Sequence, residues 1–163
     1  MMKLKMPHLK LLGVVGLVAM LGACGSTTDT ANAGGAGNTV AGPRPGSQED
    51  LIATAGSDRV FFDTDRSTIR ADQRAILERQ AGWMQRFPAV TVQVEGHADE
   101  RGTREYNLAL GQRRANAARD VLVANGTAGS RISTISYGKD RPAALGSSED
   151  AWAQNRRAVT VVR

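Results

Sequence analysis

The chain has 163 residues, enough for one domain with extensions. Its 21 basic and 16 acidic residues give a net charge of +5, but Lys3, Lys5 and Lys10 all lie near the N-terminus. Without those three lysines the net charge is +2, and with only two Trp, two Tyr and three Phe the chain does not resemble a nucleic-acid binder. A single cysteine, Cys24, excludes an internal disulfide and a zinc site built on cysteines.

Residues 1–23 are typical of a signal peptide. Basic residues precede an apolar run from Leu11 to Leu21, which is too short to span a bilayer. Residues 21–24, Leu-Gly-Ala-Cys, resemble the lipobox of bacterial lipoproteins. This resemblance implies cleavage after Ala23 and acylation of Cys24, with an outer-membrane destination because Gly25 rather than an aspartate follows. An uncleaved anchor helix is the alternative.

Residues 24–56 are rich in Gly, Ala, Ser, Thr and Asn, and they contain almost no large apolar residue before Leu51 and Ile52. This composition predicts a flexible tether that begins at Cys24. The alternative, a folded segment, has little apolar surface to support it. The folded domain is therefore predicted to span residues 57–163.

The hydrophobic pattern of residues 57–163 predicts four strands and two helices. The strands are expected at 59–62, 90–95, 131–137 and 158–162, and the helices at 71–87 and 104–125. Trp83 is expected in the core, and a long loop, 138–155, is expected before the last strand. The order β-α-β-α-β-β predicts an α/β (α+β) two-layer sandwich with the helices packed on a mixed sheet.

Several polar residues near the strand ends have two possible roles. Asp63, after the first strand, either makes a turn or faces a ligand, and the turn is the commoner role for Asp. Trp152 either packs on the domain or faces a partner. Arg156 and Arg157 are expected to lie in solvent at the start of the last strand.

The second helix carries an arginine on its apolar face. At about 100° per residue, Arg114 falls in one stripe with Leu110 and Leu122. A guanidinium there is costly to bury without a partner, and Asp99 in the preceding loop is the nearest candidate. The two side chains form either a structural ion pair or a site for a ligand whose ammonium binds Asp99 and whose carboxylate binds Arg114.

Catalytic residue sets are not evident. His97-Ala98-Asp99 suggests metal ligation or acid–base chemistry, but one histidine beyond the signal peptide is weak support for a metal site. Neither a G-x-S-x-G elbow nor a P-loop motif occurs. We therefore expect no enzyme activity, no metal and no cofactor, with a hydrolase that uses Asp99 and Glu100 as the alternative.

Several motifs resemble the outer-membrane protein A (OmpA)-like domain family. The main motifs are 96–103 (GHADERGT), 105–107 (EYN) and 111–117 (GQRRANA), supported by 60–63 (VFFD), 136–139 (SYGK) and 155–159 (NRRAV). Within that family the resemblance is to the peptidoglycan-associated lipoproteins. It extends over most of the predicted domain, so it implies an OmpA-like fold.

The resemblance also implies a function. Domains of this family bind the diaminopimelate of the peptidoglycan stem peptide without cleaving it, and the ligand-contacting Asp and Arg fall on Asp99 and Arg114. Further peptidoglycan contacts are implied at Phe62, Asp63, His97, Asn107 and Leu110. The implied partners are TolB and TolA, with a lipid anchor in the outer membrane and a role in envelope integrity and cell division. Another OmpA-like wall anchor, such as a MotB-like stator or a porin tail, is the alternative.

Overall fold

The computed structural model describes residues 42–163, so the predicted signal peptide, Cys24 and the tether up to residue 41 lie outside the described residues. The helices are α1 (Gln48–Ala55), α2 (Ala71–Arg86), α3 (Arg104–Ala124) and α4 (Glu149–Asn155). The strands are β1 (Arg59–Phe61), β2 (Val92–His97), β3 (Ile132–Gly138) and β4 (Arg157–Val162). Within this part of the chain, no helix has the length and apolar composition needed to cross a membrane.

The four strands form one mixed sheet in the order β1-β4-β2-β3. Strands β2 and β3 are parallel, and β4 is antiparallel to both of its neighbours. Helix α3 provides the crossover that the parallel pair needs. Val92 and Val94 of β2 are buried in one core with Trp83 and Leu122 of the helices. The predicted two-layer sandwich on a mixed sheet is confirmed.

Helix α3 begins and ends where its sequence predicts. The Thr103 hydroxyl accepts a hydrogen bond from the Tyr106 N–H at 3.2 Å, which caps the first turn. Asn125 caps the other end, and Gly126 follows with a φ of 90°, a conformation that glycine adopts without strain. The helix start therefore lies directly after the polar loop that carries Asp99.

The prediction that the flexible tether continues to residue 56 is wrong for its last part, because helix α1 forms there. The Ser47 hydroxyl accepts a hydrogen bond from the Asp50 N–H at 3.3 Å, and Gly56 ends the helix with a φ of 81°. Leu51 is fully buried, and the Trp83 indole N–H donates to the Asp50 carboxylate at 2.9 Å. One buried leucine and two good caps outweigh the small-residue composition of this segment.

The loop predicted between the last two strands contains helix α4. The Ser148 hydroxyl caps it by accepting a hydrogen bond from the Ala151 N–H at 3.3 Å. At its other end, the Asn155 side chain binds the backbone of Ala143 and Ala144 through three hydrogen bonds of 2.7–3.0 Å. The segment before α4 is thereby fixed to the point where β4 begins.

Candidate functional site

A pocket of about 270 Å³ opens beside the end of β2 and the start of α3. It is lined by Thr64, Asp65, Asp99, Arg101, Gly102, Tyr106, Asn107 and Leu110. Of the residues predicted to contact a ligand, Asp99, Asn107 and Leu110 are in this lining. Arg101 and Tyr106 also line the pocket, and their only sequence signal is their place in the motifs 96–103 and 105–107, beside predicted contacts.

Asp99 is the acidic group of the pocket. Only 7% of the residue is exposed, and Arg101 binds both carboxylate oxygens, from Nη2 at 2.7 Å and from Nε at 3.1 Å. Arg156 Nη1 lies 3.5 Å from the same carboxylate. Burial by itself raises the pKa of Asp99, but the hydrogen bonds and positive charge of Arg101, together with a hydrogen bond from Arg156, outweigh it and leave the pKa below its usual value. The carboxylate is therefore ionised at neutral pH.

Arg114 is fully buried and does not pair with Asp99, so of the two alternatives the direct structural ion pair is not found. Its guanidinium donates to three backbone carbonyls instead: those of Arg66 and His97 at 2.8 Å and that of Asp63 at 3.1 Å. Among residues 42–163, no carboxylate lies within 4 Å of it. Burial lowers the pKa of Arg114 to about 10, so it stays protonated at neutral pH.

The three carbonyl acceptors show which backbone segments Arg114 connects. Two belong to the turn at residues 63–66, and the third belongs to the last residue of β2. Arg114 therefore ties this turn to the sheet edge beside the pocket. A guanidinium has five N–H groups, so two remain after these three bonds.

Phe62 and Asp63 lie next to the site without lining the pocket. Phe62 is 1% exposed, and its ring centre is 5.2 Å from the Arg114 guanidinium carbon. The Asp63 carboxylate is exposed and lies 3.7 Å from Arg70, while its carbonyl accepts the turn hydrogen bond from the Arg66 N–H at 3.2 Å. Asp63 therefore makes the turn through its backbone, while its carboxylate faces solvent.

The His97 side chain is directed away from the pocket. Because Gly96 faces α3, alternation along β2 places His97 on the other face of the sheet, where its ring centre is 5.6 Å from that of Tyr137. The residue is 2% exposed. His97 serves the pocket only through its carbonyl, which accepts the hydrogen bond from Arg114.

Burial of His97 predicts a specific loss of stability in acid. Burial, followed by the charge of Arg157, lowers the pKa of His97 from 6.5 to about 4. The unfolded chain then binds the proton at higher pH than the folded one, so stability falls as the pH drops from about 6.5 towards 4. We expect this residue to contribute about 3 kcal/mol of that loss at pH 4. Urea unfolding at pH 7 and pH 4 should therefore show a smaller acid loss for His97→Gln than for the unchanged chain; equal losses would contradict the prediction.

The prediction that Arg156 and Arg157 lie in solvent is wrong, because they are only 6% and 7% exposed. Besides approaching Asp99, Arg156 donates to the Phe62 carbonyl at 3.2 Å and to Glu149 at 2.6 Å. It therefore joins the end of β1, the pocket acid and helix α4. The only sequence feature that pointed to a role for these two arginines is the family motif at 155–159, because neither arginine falls on a periodic apolar face.

Two side-chain contacts frame the pocket mouth. The Tyr106 hydroxyl hydrogen-bonds the carboxylate of Asp65, which joins the first turn of α3 to the 63–66 turn and raises the pKa of Tyr106. The Arg101 guanidinium carbon lies 4.1 Å from the ring centre of Trp152, whose indole N–H donates to Glu100 at 3.0 Å. Trp152 thus packs on the domain beside the pocket.

The pocket combines an acidic and an apolar surface, and a buried positive charge lies outside its lining. Asp99 presents an ionised carboxylate, Leu110 an apolar surface, and Arg114 a buried positive charge behind the 63–66 turn. Across residues 42–163, no three His, Cys, Asp or Glu side chains are grouped as a metal site would require.

Comparisons with known proteins identify the family of this chain. A family model described as the OmpA family matches residues 61–156. A peptidoglycan-associated lipoprotein of Rhizobium meliloti (strain 1021) is 55% identical over 131 residues, which are 80% of this chain and 74% of that protein. One from Haemophilus influenzae (strain ATCC 51907 / DSM 11121 / KW20 / Rd) is 41% identical over 92% of this chain and 95% of that protein. The crystal structure of the peptidoglycan-associated lipoprotein from Burkholderia pseudomallei matches with a TM-score of 0.65 and 41% identity, over 66% of this chain and 92% of that one. The chain therefore belongs to the OmpA family, among its peptidoglycan-associated lipoproteins.

Proposed function

We propose that this chain binds peptidoglycan noncovalently at the Asp99 pocket and does not cleave it. The observation that carries the proposal is an ionised, buried Asp99 beside a buried Arg114 that has no acidic partner within 4 Å in the described residues. The free end of a diaminopimelate residue in the stem peptide carries an ammonium and a carboxylate, one for each group. The names of the relatives, which state an association with peptidoglycan, support the same ligand.

In the proposed complex, Asp99 accepts the ammonium and Arg114 receives the carboxylate. Arg114 is fully buried, so the 63–66 turn moves aside to admit that carboxylate. Asn107 already donates to the Arg101 carbonyl at 2.8 Å, which leaves its amide oxygen as an acceptor for the ligand. Leu110 packs against the methylene groups.

Asp99→Asn tests this assignment. We expect the dissociation constant for the tripeptide L-Ala-γ-D-Glu-diaminopimelate to rise at least about 30-fold, because the neutral amide no longer compensates a buried ammonium. Calorimetric titration of the purified chain measures it, with the lysine tripeptide as the ligand that lacks the second carboxylate. Asp140→Asn is the matched control, since Asp140 pairs with Arg104 at 2.8 Å away from the pocket lining. Equal binding by Asp99→Asn and Asp140→Asn would refute the site.

We further propose that acylated Cys24 holds the chain in the outer membrane, with the domain in the periplasm. The lipobox-like segment 21–24 and the small-residue segment that follows it support this arrangement. The tether would let the membrane-anchored domain reach the cell wall, which lies away from the membrane surface. By family resemblance, TolB and TolA are the proposed protein partners, at a surface that overlaps the wall site, and the role is envelope integrity and outer-membrane invagination during division.

Cys24→Ser tests the anchor. When cells that express the full chain are fractionated, we expect the variant in the soluble fraction and not with the membranes. Serine has no sulfur atom to carry the lipid, and stable anchoring needs more than one acyl chain. Ser26→Ala, two residues further along, is the matched control and should stay with the membranes. Continued pelleting of Cys24→Ser with membranes after the wall has been digested would contradict the lipid anchor.

A further inference from the structure

The cation site at Asp99 is already occupied by the protein itself. Arg101 engages both carboxylate oxygens, from Nη2 at 2.7 Å and from Nε at 3.1 Å. Its Nη2 also lies 3.5 Å from the Thr64 hydroxyl, so the guanidinium spans the pocket from the β2 side to the 63–66 turn. A ligand ammonium therefore meets a carboxylate that a planar, bidentate donor has neutralised.

The Arg101 side chain can leave without disturbing the loop that carries it. Its backbone N–H donates to Asp99 at 3.1 Å, and its carbonyl accepts from Asn107 at 2.8 Å. Its side chain is 40% exposed, in contrast to the fully buried Arg114. The ring of Trp152, 4.1 Å from the guanidinium carbon, provides a stacking surface that does not depend on Asp99. The backbone contacts thus hold the loop independently of the guanidinium.

We propose that Arg101 is a tethered competitor for the ammonium site, so that a ligand binds Asp99 only by displacing the Arg101 guanidinium. This inference rests on the proposed binding of an ammonium at Asp99. The measured affinity for a ligand then depends on how much more strongly Asp99 binds the ligand ammonium than the Arg101 guanidinium. A ligand with an ammonium gains when the competitor is removed, whereas a ligand without one gains nothing.

Three synthetic tripeptides separate these effects. They carry diaminopimelate, lysine, or 2-aminopimelate, which keeps the end carboxylate and lacks the end ammonium. For Arg101→Ala in the full chain, we expect the dissociation constants of the diaminopimelate and lysine tripeptides to fall about 2- to 5-fold, the upper part of the range for a solvent-exposed ion pair. The 2-aminopimelate tripeptide should bind no better, because Asp99 then faces its carboxylate without Arg101 between them. Arg101→Lys, which keeps a tethered cation but loses the planar fork, should give intermediate values.

Arg104→Ala is the matched control, an exposed arginine at the start of α3 whose partner is Asp140. If the wild-type chain and this control bind none of the tripeptides, the proposed function itself fails. If they bind the diaminopimelate tripeptide and Arg101→Ala binds it equally well or more weakly, Arg101 is not a competitor and the proposed function stands. A gain shared by the 2-aminopimelate tripeptide would also overturn the inference, since it would indicate a general opening of the pocket. Circular dichroism and the Arg101→Lys titration keep the test valid if the alanine variant is poorly folded.

Discussion

Gly96→Ala is expected to lower the free energy of unfolding by at least about 3 kcal/mol, the upper end of the usual cost of overpacking. A methyl group at this position would lie 1.8 Å from the Gly111 carbonyl oxygen and 2.5 Å from its carbon. Both are backbone atoms of α3, so no side-chain rotation relieves the overlap. The helix must move away from the sheet, which opens the core between them.

Urea unfolding of the purified chain measures the effect. Gly82→Ala is the matched control, because Gly82 lies inside α2 with nothing within 4 Å of the added methyl group. That variant should gain about 0.5–1 kcal/mol, since alanine favours the helix more than glycine does. Unchanged unfolding of Gly96→Ala would mean that β2 and α3 are not in backbone contact at this point.

The same contact positions the binding site. Arg114 lies one helical turn after Gly111, and it reaches the His97 carbonyl at 2.8 Å only because α3 and β2 approach so closely. A shift of about 1.5 Å in the helix would break that hydrogen bond by distance alone. Gly96→Ala should therefore also weaken peptidoglycan binding, even under conditions where the variant remains folded.

The parts of the fold that the sequence predicts are those with local signals. Alternating valines predict β2, the Thr103 cap predicts the start of α3, and Gly126 predicts its end. Gly96 shows where prediction from local sequence fails. A glycine after alternating valines indicates the end of a strand, but here β2 continues through Gly96, and the missing side chain lets the backbone of α3 approach. A local sequence pattern does not predict how closely the helix layer approaches the sheet.

The arginines show the same limit in the site. Arg114 is conspicuous because it interrupts an apolar stripe, yet its partners are carbonyls of Asp63 and Arg66, far away along the chain. Every residue has a carbonyl, so no residue type marks these acceptors in the sequence. Residue type likewise predicts that Arg156 and Arg157 lie in solvent. Both are buried because the fold brings hydrogen-bond acceptors to their long side chains, and the sequence does not mark those acceptors. Helix α1 had a local signal, the Ser47–Asp50 cap, which its glycine- and alanine-rich surroundings obscured.

Arg114→Leu is expected to destabilise the domain by about 3–5 kcal/mol, the range for removing one member of a buried polar network. The substitution keeps an apolar side chain on α3 but leaves the carbonyls of Asp63, Arg66 and His97 without their donor. From sequence alone, loss of this arginine would be expected to abolish binding and leave the domain folded. The structure adds a folding cost, because Arg114 holds the 63–66 turn against the sheet.

Urea unfolding measures that cost, and titration with the diaminopimelate tripeptide measures binding. Arg113→Leu is the matched control, since the neighbouring arginine is exposed on the same helix and should change stability by less than about 0.5 kcal/mol. Arg114→Lys should fall between the two, because an ammonium retains the charge but cannot reach three carbonyls in the plane of a guanidinium. Hydrogen exchange gives a further check, since the Arg66 N–H, bonded to the Asp63 carbonyl at 3.2 Å, should lose protection in Arg114→Leu before the core strands do. If Arg114→Leu matched Arg113→Leu in stability and exchange, the buried guanidinium would serve the ligand alone and the turn would be held by other contacts.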